Sequence, residues 1–265
     1  MDHETISMLC NPYTHESFRY IKTQDSNGTT KEFLEGLETS ERFSFKNGIP
    51  VLYDESKIQG LNLRYQKFYR SIAGFYDFAL RTVAFLSGGS ESKFRNQYLQ
   101  HLEIKKESKV LEVSVGTGAN LTLLPFTPRY YGLDLSWEML SQCQKRISRF
   151  NQNIELFFGN AEELPFHDGM FDVVFHVGGI NAFNDRAKAI SEMIRVARPG
   201  TKIVIVDETV KMMKALNWIP SVKRMIAEWG DRFDPPVDLV PPEMKEIQVC
   251  QIVKGFMYLL SFRTP

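Results

Sequence analysis

The stretch from Lys109 to Leu121 constrains the fold of this chain more than any other. Residues 110–113 are apolar apart from one glutamate, with a β-branched residue at each end, which predicts a short buried strand. Gly116 and Gly118 follow, and glycine permits backbone dihedrals that side chains forbid and lets a ligand approach the main chain. From Asn120 the chain is expected to form a helix whose first N–H groups face this turn. This order predicts a nucleotide-type binding loop.

The class of nucleotide is indicated by what the loop lacks. A dinucleotide fold requires G-x-G-x-x-G, and the third position counted from Gly116 is Leu121, which disfavours NAD and FAD. No Lys-Ser or Lys-Thr follows the glycines, so a phosphate loop is also disfavoured. Glu112 within the strand, followed by G-x-G, resembles motif I of the class I S-adenosylmethionine-dependent methyltransferases. In that family the carboxylate lies near the ammonium group of the ligand, and Ser114 stands where the first glycine is usual.

A second acidic residue follows the glycine loop at a suitable distance. Tyr130 to Asp134 reads as the next strand, and Asp134 lies 18 residues after Gly116. An acidic residue at the end of this strand can accept hydrogen bonds from both ribose hydroxyls, which supports a nucleoside ligand without saying which. Ser136 is expected to cap the next helix. Met139 on that helix is either a core residue or a contact to adenine.

Two further segments resemble the same family. After a third strand, Ile154 to Phe158, the loop Gly159 to Phe166 is similar to the family's Gly-Asp-Ala-Glu-x-Leu-Pro-Phe. There the residue after glycine accepts a hydrogen bond from the adenine amino group, and the side-chain oxygen of Asn160 can still do so. The order Glu192 to Gly200 resembles the family's Glu-x-x-Arg-Val-Leu-Lys-Pro-Gly.

The fourth and fifth strands are expected to end at the reaction centre. Phe171 to Val177 is nearly all apolar, as suits a strand buried between helix layers, and ligands bind at the carboxyl ends of such strands. His176 at this end is either a general base or a packed, hydrogen-bonded residue beside the cofactor. Asp207 ends the strand that begins at Lys202, where acceptors are held, but it could equally cap the following helix.

The region before the glycine loop has a helical pattern. Phe68 to Asp77 resembles the N-terminal helix of the ubiquinone/menaquinone C-methyltransferase family, which covers the cofactor and walls the acceptor pocket. The resemblance implies a contact from Tyr76, against the alternative that its ring only caps the core. In the last sixty residues, helices near Trp218 and Trp229 are expected to close over the acceptor. Two strands, Glu246 to Cys250 and Gly255 to Phe262, are expected to complete the sheet.

The first 57 residues predict a small antiparallel sheet, because Asn27-Gly28 and Asn47-Gly48 are hairpin-type dipeptides between short apolar patches. The segment resembles the zinc-ribbon-like domain that precedes or partners some methyltransferases. The metal-binding members use four cysteines, and Cys10 alone is present here, so we expect the shape without the metal. A partner-binding or lid module is the alternative to a structural addition.

Bulk properties narrow the partners. The formal net charge is zero, so composition gives no case for nucleic acid. The three cysteines, Cys10, Cys143 and Cys250, form neither a disulfide framework nor a C-x-x-C metal site. The N-terminus lacks the pattern of a signal peptide, and no apolar stretch reaches 18 residues, so a cytoplasmic protein is expected. Contact with a membrane surface through aromatic residues remains an alternative, and the oligomeric state is not indicated.

These patterns together predict an α/β fold: a Rossmann-like, seven-stranded doubly wound sheet with a small N-terminal β module and a helical cap. The predicted divisions are residues 1–57, 58–104 and 105–265. The resemblance implies S-adenosylmethionine as cofactor, S-adenosylhomocysteine as product, no metal, and a small, apolar or aromatic acceptor. The rivals are a catalytically silent binding module and, less favoured, a nicotinamide oxidoreductase. Catalysis is predicted for His176 and Asp207. The predicted cofactor contacts are Tyr76, Glu112, Ser114, Gly116, Gly118, Asp134, Leu135, Met139, Asn160, Ala161, His176 and Val177.

Overall fold

A computed structural model describes residues 1–24, 28–64, 66–67, 90–150, 153–215, 217 and 220–265 of the chain. The predictions for Tyr76, for the helix around it and for Trp218 lie outside the described residues.

The larger of two sheets has seven strands, which confirms the predicted α/β fold. The strands of this sheet are β5 (Lys109–Val113), β6 (Arg129–Asp134), β7 (Ile154–Phe158), β8 (Val173–Val177), β9 (Lys202–Glu208), β10 (Lys245–Ile252) and β11 (Met257–Arg263). Their order is β10-β11-β9-β8-β5-β6-β7. β5 to β9 are parallel, and β11 and β10 complete the sheet in antiparallel pairs.

Strand order reverses at β5. From β5 the chain passes to β6 and β7 on one side, then returns to β8 and β9 on the other. Val113 at the end of β5 pairs with Leu133 on one neighbour and with His176 on the other. The carboxyl ends of these strands therefore surround the crevice in which doubly wound sheets bind ligands.

Six α-helices lie within the described residues: α1 (His3–Met8), α2 (Glu91–Leu99), α3 (Trp137–Ile147), α4 (Arg186–Val196), α5 (Val210–Ala215) and α6 (Pro220–Trp229). Residues 60–64 and 66–67 are also helical. Ser136 caps α3 as predicted, since its hydroxyl accepts a hydrogen bond from the Met139 N–H at 3.3 Å. Within the described ranges, no helix has both the length and the apolar character needed to span a membrane.

The helix predicted after the glycine loop is reduced to a single 3₁₀ turn, Leu121–Leu123. Leu124 is already extended, with φ −86° and ψ 161°. The reason is Pro125, because proline disfavours a helical residue before it and cannot donate the next N–H. The prediction of a full helix opening at Asn120 was therefore wrong.

A separate four-stranded sheet near the N-terminus confirms the predicted antiparallel sheet. It consists of β1 (Phe18–Gln24), β2 (Thr30–Gly36), β3 (Arg42–Lys46) and β4 (Ile49–Pro50). Asn47 and Gly48 join β3 to β4 with φ of 54° and 78°. Positive φ at both residues is typical of the tight hairpin turn that this dipeptide predicts.

This small sheet packs against the edge of the large one. Val51 pairs with Phe158 at the end of β7, and the Leu52 N–H donates to the Phe158 carbonyl at 2.8 Å. Leu9 and Leu34 are fully buried in the same hydrophobic cluster as residues of the large sheet. The small sheet therefore covers the edge of β7, where exposed strand edges would otherwise favour aggregation. The domain boundaries themselves stay predictions.

Candidate functional site

A cleft lies at the carboxyl ends of the parallel strands, with an empty volume of about 1420 Å³ that includes space open to solvent. Its walls come from the loops after β5, β6, β7 and β8, from the end of β9, and from α2.

Most of the predicted cofactor contacts meet in this cleft. The predicted residues that line it are Glu112, Ser114, Gly116, Asp134, Leu135, Met139, Asn160, Ala161 and Val177. Gly118, His176 and Asp207 lie outside its lining. The sequence therefore identified the cofactor half of the cleft better than the catalytic residues.

The two loop glycines have different neighbours. Both have positive φ, 55° at Gly116 and 70° at Gly118. A Cβ at Gly118 would lie 2.5 Å from Cys143 Sγ, so this glycine permits close packing of the loop on α3. A Cβ at Gly116 would meet nothing within 4 Å. Gly116 therefore presents open main chain to the cleft, where a ligand can approach it.

A buried network joins the glutamate of β5 to helix α2. Asn120 Nδ2 donates to Glu112 Oε1 at 2.6 Å. Asn120 Oδ1 accepts from Arg95 Nη1 at 2.7 Å and from the Tyr98 hydroxyl at 2.8 Å. Arg95 is held in turn by Glu91, with Nη2 and Oε1 3.0 Å apart. Because both donors meet the amide oxygen, the amide nitrogen of Asn120 is directed at Glu112.

Glu112 is suited to bind a cation. It is 1% exposed, and its Oε2 has no hydrogen-bond partner. Burial raises the pKa of Glu112 to about 8, a rise that the hydrogen bond from Asn120 and the charge of Arg95 oppose. A buried carboxylate oxygen without a partner is costly unless a positive group reaches it. The ammonium group of S-adenosylmethionine is such a group, so this oxygen fits the implied cofactor.

Asp134 is anchored to the glycine loop. Its Oδ2 accepts from the Gly116 N–H at 2.8 Å and its Oδ1 from the Ser136 N–H at 2.9 Å. Burial raises the pKa of Asp134 to about 6, and the backbone hydrogen bonds oppose that rise. A carboxylate has about four lone-pair sites, so two acceptor sites remain for hydroxyl groups.

Asn160 shapes its own loop. Its Oδ1 accepts from the Glu162 N–H at 3.1 Å, which leaves the second lone pair of that oxygen for a ligand. Glu162 Oε1 accepts from Asn62 Nδ2 at 2.9 Å. Gln66 Nε2 donates to the Leu135 carbonyl at 2.8 Å. The helical segment around residues 60–67 is thus tied to two of the loops that line the cleft.

His176 lies beneath the cleft. Its ring is 0% exposed and packs edge-on against Phe183, with centroids 5.3 Å apart. Nδ1 is 2.9 Å from the Val113 carbonyl oxygen, so in the tautomer with a proton on Nδ1 the ring donates there. Burial lowers the pKa of His176. These contacts are those of the alternative interpretation, a packed and hydrogen-bonded residue beside the site.

Asp207 is surrounded by backbone N–H groups. It accepts from Gly179 at 3.2 Å to each oxygen, from Asn181 at 3.0 Å and from Glu208 at 2.8 Å. Gly178 and Gly179 have φ of 78° and 110°. Asp207 therefore holds the loop after β8 in a conformation that glycine permits.

Several lining residues were not predicted. They are Arg95, Tyr98 and Asn120 of the buried network, Glu208 at the end of β9, and the apolar residues Met212, Phe256 and Met257. Glu208 was detectable as a strand-end carboxylate. The others carry no motif, and their position depends on how distant elements pack.

Comparisons with known proteins agree with this geometry. Residues 111–205 match the methyltransferase domain family. The chain is 30% identical over 211 residues to a ubiquinone/menaquinone biosynthesis C-methyltransferase of Geobacter sp. (strain M21), covering 76% of this chain and 88% of that protein. It is 32% identical over 157 residues to the demethylmenaquinone methyltransferase of Bacillus licheniformis, covering 58% of this chain and 64%, less than two thirds, of that one.

A solved structure shows the same fold. It is an S-adenosylmethionine-dependent methyltransferase of Thermotoga maritima, described as a possible histamine N-methyltransferase, with a TM-score of 0.56 and 17% identity. The match covers 78% of this chain and 100% of that one. The strand order, the Glu112 and Asp134 site and the near-full-length Geobacter relative lead to one conclusion: this chain belongs to the ubiquinone/menaquinone C-methyltransferase group of class I S-adenosylmethionine-dependent methyltransferases.

Proposed function

We propose that this protein transfers the methyl group of S-adenosylmethionine to a small, apolar or aromatic acceptor. The observation that carries the proposal is the contrast between the two ends of the cleft. Glu112 and Asp134 make the β5–β6 end polar, whereas Met212, Phe256 and Met257 make the β9 end apolar. The printed names of the relatives, which refer to ubiquinone and menaquinone biosynthesis, support an acceptor with a quinone-type ring.

We assign the cofactor contacts to the polar end. Glu112 Oε2 pairs with the ammonium group, Asp134 accepts from the ribose hydroxyls, and Asn160 accepts from the adenine amino group. The open main chain at Gly116 and Gly178 allows close approach of the ligand. When bound, S-adenosylmethionine supplies a methyl group on a positively charged sulfur and leaves as neutral S-adenosylhomocysteine.

The protein's own part is positioning and exclusion of water. Methyl transfer from a sulfonium is already favourable, so the largest contribution comes from holding the acceptor in line with the methyl group. For His176 and Asp207 we propose a supporting role, since the first braces β8 against β5 and the second shapes the loop at residues 178–179. A cytoplasmic location remains part of the proposal, and it is supported by three cysteines that are all unpaired.

A labelled methyl donor and a panel of acceptors test the proposal. The panel contains hydroquinones, phenols, thiols and amines, and formation of S-adenosylhomocysteine is measured. We expect transfer to at least one aromatic acceptor, and loss of cofactor binding in Glu112→Gln. Binding of S-adenosylmethionine without turnover on any acceptor would favour the silent module. Failure to bind it at all would contradict the assignment of the cleft.

A further inference from the structure

We propose that Glu208 takes a proton from the acceptor, and that the acceptor therefore carries an acidic hydroxyl group, phenolic or enolic, at or next to the methylated atom. The proposal rests on the proposed function and adds the residue that moves the proton and the chemical class of the acceptor.

Glu208 is placed at the acceptor end of the cleft by the strand order. It is the last residue of β9, and β8 lies between β9 and β5. Two strand spacings separate it from Glu112, or about 10 Å. Among the described residues that line the cleft, the carboxylates are Glu112, Asp134 and Glu208. The first two belong to the polar end, which leaves Glu208 for the apolar end.

The main chain of Glu208 is fixed on three sides. Its N–H donates to Asp207 Oδ1 at 2.8 Å, and its carbonyl accepts from Asn181 Nδ2 at 3.2 Å. In the adjacent antiparallel strand its partner is Met257. A side chain on so constrained a backbone is well placed to meet a substrate in a defined position.

The surroundings of Glu208 make it a stronger base than an ordinary glutamate. Burial and the adjacent Asp207 charge raise its pKa well above the usual value of 4.5. Over the described part of the chain, Glu208 takes part in no ion pair that would offset this. Lys211, one turn along α5, donates instead to the Lys254 carbonyl at 2.7 Å. The other titratable or charged groups of this region are His176 on β8, Tyr258 on β11, and Arg186 and Asp234, which act on Tyr258.

The charge balance of the reaction requires such a group. The cofactor loses one positive charge when it gives up its methyl group, so an acceptor that enters and leaves neutral must lose one proton. In the proposed step the O–H bond of the acceptor breaks, its electron pair stays on oxygen, and the proton goes to a carboxylate oxygen of Glu208. A general base is most effective when its pKa lies near the working pH, which is the direction in which Glu208 is shifted.

The other candidates for this role are poorly placed. His176 is fully buried and does not line the cleft. Asp207 already accepts four backbone hydrogen bonds from three N–H groups, one of them shared between its two oxygens. Glu208 combines access to the cleft with a carboxyl group whose listed neighbours leave it free to accept a proton.

The test uses Glu208→Gln, which keeps the size of the side chain and removes the base, with Glu246→Gln on the exposed β10 strand as control. Rates of methyl transfer are measured against pH with hydroquinone and with phenols of increasing acidity. For phenols of ordinary acidity we expect a loss of about 100-fold or more. The loss should shrink toward unity for nitrophenols, which are ionised in solution. Glu208→Asp should recover part of the rate.

Two controls separate catalysis from structure. Calorimetry with S-adenosylhomocysteine should give a Kd for Glu208→Gln within about twofold of wild type, since the residue lies outside the cofactor end. In wild type the rate should rise through the pH range where Glu208 ionises. In Glu208→Gln it should rise only where the phenol ionises by itself.

Three outcomes would overturn the proposal. A Glu208→Gln rate within about twofold of wild type at every pH, or an equal loss for every phenol, excludes the role as a base. Transfer by wild type to thiols or amines only, undiminished in the variant, overturns the acceptor class but leaves the proposed methyltransferase function. Cofactor binding without transfer to any acceptor contradicts both.

Discussion

Ser114 shows how a departure from a family pattern is tolerated at the scale of one residue. Its φ is 60°, in the left-handed region where glycine is the usual residue. For a residue with a side chain this conformation costs about 1–2 kcal/mol. The glycine turn therefore keeps its shape at a modest cost, which is why the resemblance to motif I remained informative without the first glycine.

Glu112 is the residue whose ionisation is most sensitive to the cofactor. Its pKa is about 8 in the folded protein against a usual value of 4.5. The folded state thus binds the proton more tightly than the unfolded state does. Its contribution to stability is present below about pH 4.5 and is lost as the pH rises through 8. A ligand ammonium group would reverse this by favouring the charged carboxylate.

The first prediction is that binding of S-adenosylhomocysteine near pH 7 releases close to one proton, because Glu112 ionises as the ammonium group arrives. Calorimetric titration in buffers of different ionisation enthalpy measures the number released. Glu112→Gln should bind about tenfold or more weakly, as expected for a lost charge-assisted bond, with release near zero. The control ligand is 5′-methylthioadenosine, which has the ribose but no ammonium group and should release no such proton. Tight binding by wild type with no proton released would contradict this role for Glu112.

Helix α2 illustrates how one element completes a site built on another. Arg95 and Tyr98 from this helix both donate to the Asn120 amide oxygen, and the amide then donates to Glu112. The cap thereby fixes which oxygen of Glu112 is left for the ligand. No feature near the glycine loop carries this information.

The second prediction concerns Arg95→Met. Removing the guanidinium frees the Asn120 amide to rotate, so affinity for S-adenosylhomocysteine should fall about tenfold, the cost of losing one oriented hydrogen bond to a charged group. Affinity for 5′-methylthioadenosine should stay within about twofold, because that ligand does not reach Glu112.

The matched control is Lys93→Met, an exposed position on the same helix. Both variants should show the wild-type number of unfolding transitions in thermal denaturation. Equal losses of affinity for the two ligands would show that Arg95 supports the fold of the cap rather than the ammonium site.

At the scale of the whole molecule, the N-terminal sheet and the large sheet share a core. Leu34 on β2 is 0% exposed in the cluster that contains Leu133, Phe157 and Phe166. Trp137 on α3 stacks on Phe158 at 4.4 Å between ring centroids. We therefore expect the two sheets to unfold together.

The third prediction compares Leu34→Ala with Leu37→Ala, since Leu37 is 58% exposed. Leu34→Ala should reduce the free energy of unfolding by about 2–5 kcal/mol. Leu37→Ala should change it by no more than about 0.5 kcal/mol. Tryptophan fluorescence and far-ultraviolet circular dichroism should give coincident denaturant curves for both. Two separate transitions, with Leu34→Ala affecting one of them, would show that the N-terminal sheet is an independent unit.

Local patterns were sufficient for much of the fold and for the cofactor end of the site. The strands of the parallel sheet are nearly continuous apolar runs, and residues at their carboxyl ends, such as Glu112, Asp134 and Asn160, must meet wherever such a sheet forms. The failure at Asn120 was also local, since Pro125 five residues later shortens the helix.

Tertiary structure alone decided which atoms are available for chemistry. Whether His176 faces the cleft or the core, whether Asp207 is free or saturated with N–H groups, and which oxygen of Glu112 remains unpaired depend on residues tens of positions away. Their positions are set by packing of the cap and of β11 against the sheet, which burial of apolar surface drives without directional preference. The sequence by itself thus determined the strand order and the class of cofactor, and the packed fold determined that Glu112 and Glu208 keep free carboxylate oxygens at opposite ends of one cleft.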